Sequence, residues 1–377
     1  MEQKGILKVG FMGCGNFGGQ AANAVVEEGF DAIAVNASKN DFATLSDKVV
    51  QFLVGDGKGT GKSRETAVEF IASHINLVKD DVIVKFIESN DVIVVGGSAG
   101  GGFGSGAVPT LTEILMQIYP SKCFRIVTTM PSMSEMYEAH KHTEEFMKEV
   151  IDLQVPYIVY DNDNFNNIEA SEMNKQIISN LVRDMKILRG DYILETTTGG
   201  IDERDLLTVN STPGRTVCCV IEDLEESMVE DGGIVAAIKK SIAASANPTL
   251  VDDKVIAATA VMYNLNTDLK KYGSNITADI QSNFGMYLAD FRNEAVDNPE
   301  TKPFVACILA GLTTPTTRID KAISRRVQIE KEYTSRIAAS TKLGTIERGT
   351  LSLKTKSFGS STDKPNVDEI LKKFSNK

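Results

Sequence analysis

Histidine is almost missing from this 377-residue chain, which has three: His74, His140 and His142. His140 and His142 stand two apart, so on a helix they do not share a face. No histidine-built metal site is expected, and both rings are expected to be solvated. Cysteine is scarce as well, and Cys14, Cys123, Cys218, Cys219 and Cys307 show no metal-ligand spacing. An odd number of thiols fits a reducing compartment better than a disulfide framework. No run of eighteen apolar residues occurs, which argues against a membrane-spanning helix. The opening MEQKGILKVG is too short and too polar for a secretory signal. A cytoplasmic protein with no membrane partner is therefore expected. Positive charge is also in deficit: 40 Lys and Arg against 51 Asp and Glu leave a formal net charge of -11. A general nucleic-acid coat would need a basic face, so strong direct DNA binding is not expected.

What is present is an ordinary globular composition, 42% apolar and 24% charged, long enough for more than one domain. Short β-branched runs (LKVGF, AIAVN, VVQFLV, DVIVVG, RIVTT, PYIVYD) alternate with amphipathic segments through the first half. That alternation predicts an α/β fold with a parallel, doubly wound sheet. From Glu169 to Leu188 apolar residues recur at helical spacing, and Gly190 supplies a stop. The second half reads as a smaller α+β region. A Gly-, Ser- and Pro-containing tail follows, and it is the one basic segment. The expected divisions are a nucleotide-binding domain over 1–168, a central helix over 169–190, a C-terminal domain over 191–315, a helix over 316–340 and a basic tail over 341–377.

Two glycine loops carry the chemistry. Gly13-Cys14-Gly15-Asn16-Phe17-Gly18-Gly19 follows the first predicted strand and opens a helix. Glycines there let backbone N–H groups approach a phosphate at a helix N-terminus, where the dipole favours anions. As GxGxxG the loop matches a dinucleotide fingerprint, so an NAD(P)-dependent oxidoreductase is the alternative of another class. Such a fingerprint expects an acid at the end of the second strand, where Asn36 stands. The second loop, Ser98 to Gly106 with sequence SAGGGFGSG, follows the strand DVIVVG. Two anion sites on one sheet suit a triphosphate better than a lone pyrophosphate. Between them, GDGKGTGKS ends like a Walker A loop but has Asp56 where that motif needs glycine. It is expected to be a flexible loop, with Lys58 or Lys62 as possible phosphate contacts.

GGGFGSG at 100–106 resembles the GGGTG[ST]G signature of the tubulin and FtsZ superfamily. GCGNFGG and VNAS precede it at the expected distance, and YDNDN at 160–164 and GIDERD at 200–205 follow. Within that superfamily, VNSTPG and FVACILAGLTTPTTRID make the chain most like the TubZ group of plasmid and phage tubulin-like GTPases. The resemblance implies a tubulin/FtsZ-like fold and a GTP/GDP site with Mg²⁺. It places Cys14, Gly15, Asn16 and Gly18 on the α- and β-phosphates, with Gly13 and Asn36 beside them. It places Gly100, Gly101, Gly102, Phe103, Gly104 and Ser105 on the β- and γ-phosphates, followed by Gly106. Asn162 and Asn174 would read guanine and ribose. Phe103 stands where the family has Thr, and Gly200 replaces the Asn of the acidic loop.

Asp202 and Asp205 are the expected catalytic carboxylates, placed on the turn after the long helix. By themselves they also suit an acidic helix start. A helix of about twenty residues is roughly 30 Å long. If Asn174 near its start touches the base, carboxylates beyond its end cannot reach the γ-phosphate of their own chain. They serve hydrolysis only by meeting another subunit's nucleotide, in a head-to-tail contact that generates a filament. The resemblance further implies movement or segregation of plasmid or phage DNA, or positioning of replicating phage DNA. It also implies a TubR-like DNA-binding adaptor engaged through the basic tail.

Overall fold

A computed structural model describes residues 5–165, 168–196, 200–230, 233–244, 247, 256–284, 286–296 and 301–341. The chain first runs β1 (Val9–Cys14), α1 (Gly15–Glu27), β2 (Asp31–Asn36), α2 (Lys39–Phe42), β3 (Val50–Leu53), α3 (Arg64–Ser73), α4 (Asp81–Ser89) and β4 (Val92–Ser98). It continues with α5 (Phe103–Ile118), β5 (Cys123–Met130), α6 (Tyr137–Asp152), β6 (Pro156–Asp161), α7 (Ala170–Arg189) and α8 (Glu203–Ser211). The last part is β7 (Gly214–Glu222), α9 (Gly233–Ala244), β8 (Ile256–Leu265), α10 (Gly273–Phe284), β9 (Met286–Val296), β10 (Phe304–Leu312) and α11 (Thr316–Thr341).

Among the described residues ten strands form one sheet in the order β3-β2-β1-β4-β5-β6-β7-β10-β8-β9. The strands from β3 to β6 are parallel to their neighbours. Of these, β1, β4, β5 and β6 are buried on both faces, which is why they read as continuous apolar runs, whereas the edge strand β3 is largely exposed. The smaller α+β region does not build a sheet of its own. β7 joins β6 in parallel through the pairs Pro156↔Gly214 and Tyr157↔Arg215, and β10 then pairs antiparallel with both β7 and β8. Sequence periodicity detects a strand but not which neighbour it chooses, so this continuity had no local signal.

One core cluster, under α1, α7 and α8, runs the length of the sheet from Val9 and Ala34 to Ile308. The opposite face is divided. One cluster lies under α3 to α6 and the other under α9 and α10. Helix α7 buries Ile177, Leu181, Met185 and Leu188 against the shared core. It ends at Gly190, whose φ of +88° is the left-handed conformation a helix C-cap uses. At that end the Arg189 carbonyl accepts the Leu7 N–H at 3.1 Å, just ahead of β1. Thus α7 starts beside the carboxyl end of β6 and finishes beside the amino end of β1.

All five cysteines are free and buried. The histidine expectation is overturned: His140 and His142 are buried in α6, not solvated. They lie where α6 is covered from two sides, by the second glycine loop and by α11, which helical spacing within α6 does not disclose. Of the basic tail expected over 341–377, all but Thr341 lies outside the described residues.

Candidate functional site

In a doubly wound sheet, ligands bind outside the carboxyl ends of the strands at the point where strand order reverses. Here that point lies between β1, from which the chain works outward to β2 and β3, and β4, which starts the opposite direction. Both glycine loops leave the sheet there. Cys14 is the N-cap of α1 and Gly102 that of α5, and neither helix has an acidic residue in its first turn. Two helix N-termini with unopposed positive ends are thereby aimed at one place.

The loops touch. Gly15 has a φ of +75°, and a Cβ built on it would lie 3.3 Å from the Gly104 nitrogen and 3.7 Å from the Phe103 ring. A Cβ on Gly18 would lie 2.6 Å from the Gly13 carbonyl carbon, so α1 approaches its own strand as closely as backbone allows. The Cys14 thiol is pushed up to about 12 by burial and stays neutral, leaving Cys14 to act through its backbone.

Within the second loop the residues divide by role. The Ser105 hydroxyl donates to the Gly101 and Gly102 carbonyls, so it holds the shape of the loop. Gly104 lies against Ser98 and Cys14, while Gly106 faces the Arg64 carbonyl of α3. Gly100 rests on Pro131 and Ala139. The His142 ring lies near the Gly100 backbone, with Nε2 3.7 Å from Glu138. Phe103 is buried, its ring taken up by the contact with Gly15.

The Walker-like segment is anchored rather than loose. The Lys39 N–H donates to the Gly57 carbonyl, the Gly59 N–H donates to the Ala37 carbonyl, and Ser63 caps α3 through the Thr66 N–H. The segment lies on the second glycine loop: a Cβ on Gly102 would stand 2.5 Å from Lys62 Cα and 2.9 Å from Thr60 Oγ1. Lys62 itself has a φ of +64°, a conformation that non-glycine residues adopt only under local constraint. Lys58 points outward and pairs with Asp56 at 3.6 Å.

Asn36 ends β2 at the same edge, but its side chain is committed to its own turn. Oδ1 accepts the Ala37 and Ser38 N–H groups at 2.7 and 3.2 Å, and Nδ2 donates to Asp41 at 2.8 Å. Asn16 is exposed at the start of α1. Asn162 follows β6 directly. Its Nδ2 donates to Glu135 at 3.5 Å, and its Oδ1 is buried with no protein partner. Asn174 is half-buried in the second turn of α7. These asparagines share the edge of the glycine loops.

The carboxylates do not. Asp202 and Asp205 sit on α8, not on a turn: Asp202 is its N-cap and Asp205 its third residue. Helix α8 is seated at the amino edge of the sheet. The Asn210 carbonyl accepts from Arg125 near the start of β5, and Asn210 Nδ2 donates to the Leu188 carbonyl at 3.1 Å. A Cβ on Gly200 would lie 2.7 Å from Asn293 Nδ2 and 2.9 Å from Thr196 Cγ2, so a larger residue there would need those side chains to move. Asn293 is held by the Leu194 backbone at 3.1 and 3.0 Å.

Sequence reading missed one cluster at the nucleotide edge. Arg318, at the start of α11, donates to both carboxylate oxygens of Asp161, at 2.6 and 2.8 Å, and to the Pro131 carbonyl at 2.7 Å. Its partners are more than 150 positions away, and no local pattern marks such a pair.

Residues 8–170 match the Tubulin/FtsZ family, GTPase domain. With the paired loops and this sheet, that match gives the chain a tubulin/FtsZ-like fold whose GTPase domain spans residues 8–170. It is 22% identical over 240 residues to the tubulin-like protein TubZ of Clostridium botulinum C phage, covering 62% of this chain and 63% of that one. It is 30% identical over 175 residues to the tubulin-like protein CetZ3 of Haloferax volcanii, covering 42% and 44%. The chain thus spans less than two thirds of the length of these curated relatives. Among solved structures, a GTPγS-form protofilament of Bacillus thuringiensis serovar israelensis TubZ superposes with a TM-score of 0.71 at 16% identity. That match covers 90% of this chain and 96% of the other. Among the described residues no helix is long and apolar enough to cross a membrane.

Proposed function

We propose that this protein binds GTP at the paired glycine loops, polymerises head to tail, and hydrolyses GTP in a site completed by the next subunit. The observation that carries the reading is the placement of its two halves. The anion-binding loops lie at the carboxyl edge of the sheet, and Asp202 and Asp205 cap α8 at the amino edge. One chain cannot bring them together; two chains stacked edge to edge can. The loop amides and helix N-termini would stabilise charge on the β- and γ-phosphates, and a carboxylate of the next subunit would orient the attacking water.

Asn162 supports a purine ligand, since its orphaned Oδ1 accepts and its amide donates, as a base edge requires. Among the described residues no group of three or more His, Cys, Asp or Glu side chains could hold a metal ion. Magnesium would accordingly be carried on phosphate oxygens and water. By likeness to the phage TubZ protein, the filament would move or segregate plasmid or phage DNA, with a TubR-like adaptor engaging the basic tail.

The test combines negative-stain microscopy with phosphate release across protein concentration. Filaments are expected with GTP and not with NAD, and turnover per molecule should rise steeply with concentration. Turnover independent of concentration would show that each chain hydrolyses alone and would end the shared-site reading.

A further inference from the structure

We infer that Arg318 is a positioning residue for the base side of the nucleotide site, and that nucleotide binding and docking of α11 are linked through it. The inference rests on the guanine-nucleotide reading above and goes beyond it in assigning the C-terminal helix a part in the affinity.

The argument starts from Asp161, the last residue of β6, which is 4% exposed. Its carboxylate does two things. It accepts the Asp163 N–H at 3.1 Å, shaping the turn that holds Asn162, and it takes both bonds of the Arg318 guanidinium. Arg318 is 8% exposed, and a third bond to the Pro131 carbonyl fixes its plane. The turn is braced again from the β5–α6 side, where the Met133 N–H donates to Asp163 at 2.8 Å. Further along α11, Arg325 donates to the Met133 carbonyl at 3.1 Å and Arg326 pairs with Glu144 at 3.1 Å. The start of α11 is therefore a wall of the Asn162 turn.

A bidentate, buried guanidinium fixes direction as well as distance, which a lysine cannot reproduce. The turn can hold the base in one orientation only while α11 is docked. By linkage, whatever docked α11 contributes to nucleotide affinity, bound nucleotide returns to the docking of α11. The glycine loops carry none of these bonds, so phosphate binding should be independent of Arg318.

The experiment uses full-length protein at concentrations too low to polymerise. GDP and pyrophosphate are titrated calorimetrically into wild type, Arg318→Lys and Arg318→Met. Hydrogen exchange of the amides of residues 319–326 is followed in wild type with and without GDP. GDP affinity should fall about tenfold, within the range usual for coupled sites. Arg318→Lys should lose less than Arg318→Met, and pyrophosphate affinity should hold in both. GDP should slow exchange in wild-type α11, a readout that needs no variant to fold. Unchanged GDP affinity in the variants, equal loss of GDP and pyrophosphate, or no protection of α11 by bound GDP would each overturn the linkage alone. Wild type that binds no GDP would overturn the underlying site as well.

Discussion

Asp202 and Asp205 cap one helix reciprocally. The Asp202 carboxylate accepts the Asp205 N–H at 2.9 Å, and the Asp205 carboxylate accepts the Asp202 N–H at 3.3 Å. This capping box satisfies orphan donors at the start of α8. It also keeps both carboxylates at the outer surface of the amino edge, where a stacked neighbour would meet them. In the proposed shared site, structural and catalytic duties would fall on the same atoms, and substitution can separate them.

Asp205→Ala should lower stability by about 0.5–1.5 kcal/mol through loss of the reciprocal half of the capping box, its bond from the Asp202 N–H. Asp205→Asn keeps an acceptor oxygen and should unfold close to the wild-type temperature. Both should cut GTP turnover by roughly 10²- to 10⁴-fold, the usual contribution of a general acid or base. Both should still bind GTP and form persistent filaments. Calorimetry and phosphate release on the two variants decide the matter: wild-type turnover in Asp205→Asn would confine these residues to capping.

Gly102→Ala tests the seating of the Walker-like segment. The added methyl would stand 2.5 Å from Lys62 Cα, and backbone rather than a side-chain tip must give way. Overpacking of this kind typically costs about 1–3 kcal/mol. The segment should lift, GDP affinity should drop, and trypsin should cut faster after Lys58 and Lys62. Unaltered cleavage would mean that the segment does not rest on the phosphate loop.

Acid should weaken the fold through α6. Burial holds both His140 and His142 below the ordinary histidine value, with Arg318 and Arg325 adding to the effect on His140. Between that lowered value and about 6.5 the unfolded chain binds more protons than the folded one. Stability is therefore fully present above about pH 6.5 and is lost as pH falls through the folded-state values. Urea midpoints between pH 5 and 7.5 should show the decline, and His142→Gln should flatten part of it. Parallel profiles for wild type and variant would remove His142 from the account.

Deleting 341–377 removes the chain's basic segment, which carries a net charge of +4. GTP-driven assembly should survive while capture of a DNA-bound adaptor is lost. Sedimentation with GTP, with and without adaptor and DNA, separates the two effects. Failure to sediment at all would make the tail part of the polymer.

The parallel half of the fold was legible because both-face burial writes itself as unbroken apolar runs, and the glycine loops because tight backbone approach admits no other residue. Gly190 marked the end of α7 for the same kind of reason. His140 and His142 were misread because their burial comes from segments distant in sequence. Asp205 was placed on a turn because a capping box and an acidic loop look alike until the helix behind them is seen. Arg318 lies in the FVACILAGLTTPTTRID segment that carried the resemblance, but its pairing with Asp161 left no local signal, since a cation at the start of a charged helix is the commonest of patterns. Ser105 and Asn36 sit where they were expected, but both spend their polar atoms on nearby groups of the chain.

The join between β6 and β7 has a mechanical meaning. Two residue pairs hold it, against seven between β4 and β5 or between β10 and β8. On the α7 side a continuous apolar core backs the join. On the other side the core is split, and the buried Arg215 and the Tyr157–Thr314 hydrogen bond stand at the divide. A joint backed by a continuous core on one face and divided on the other should yield more readily on the divided face. Under tension along a polymer the two halves would bend like a door on its hinge side, giving the strand a built-in sense of curvature that optical-trap stretching of single filaments would register as asymmetric compliance.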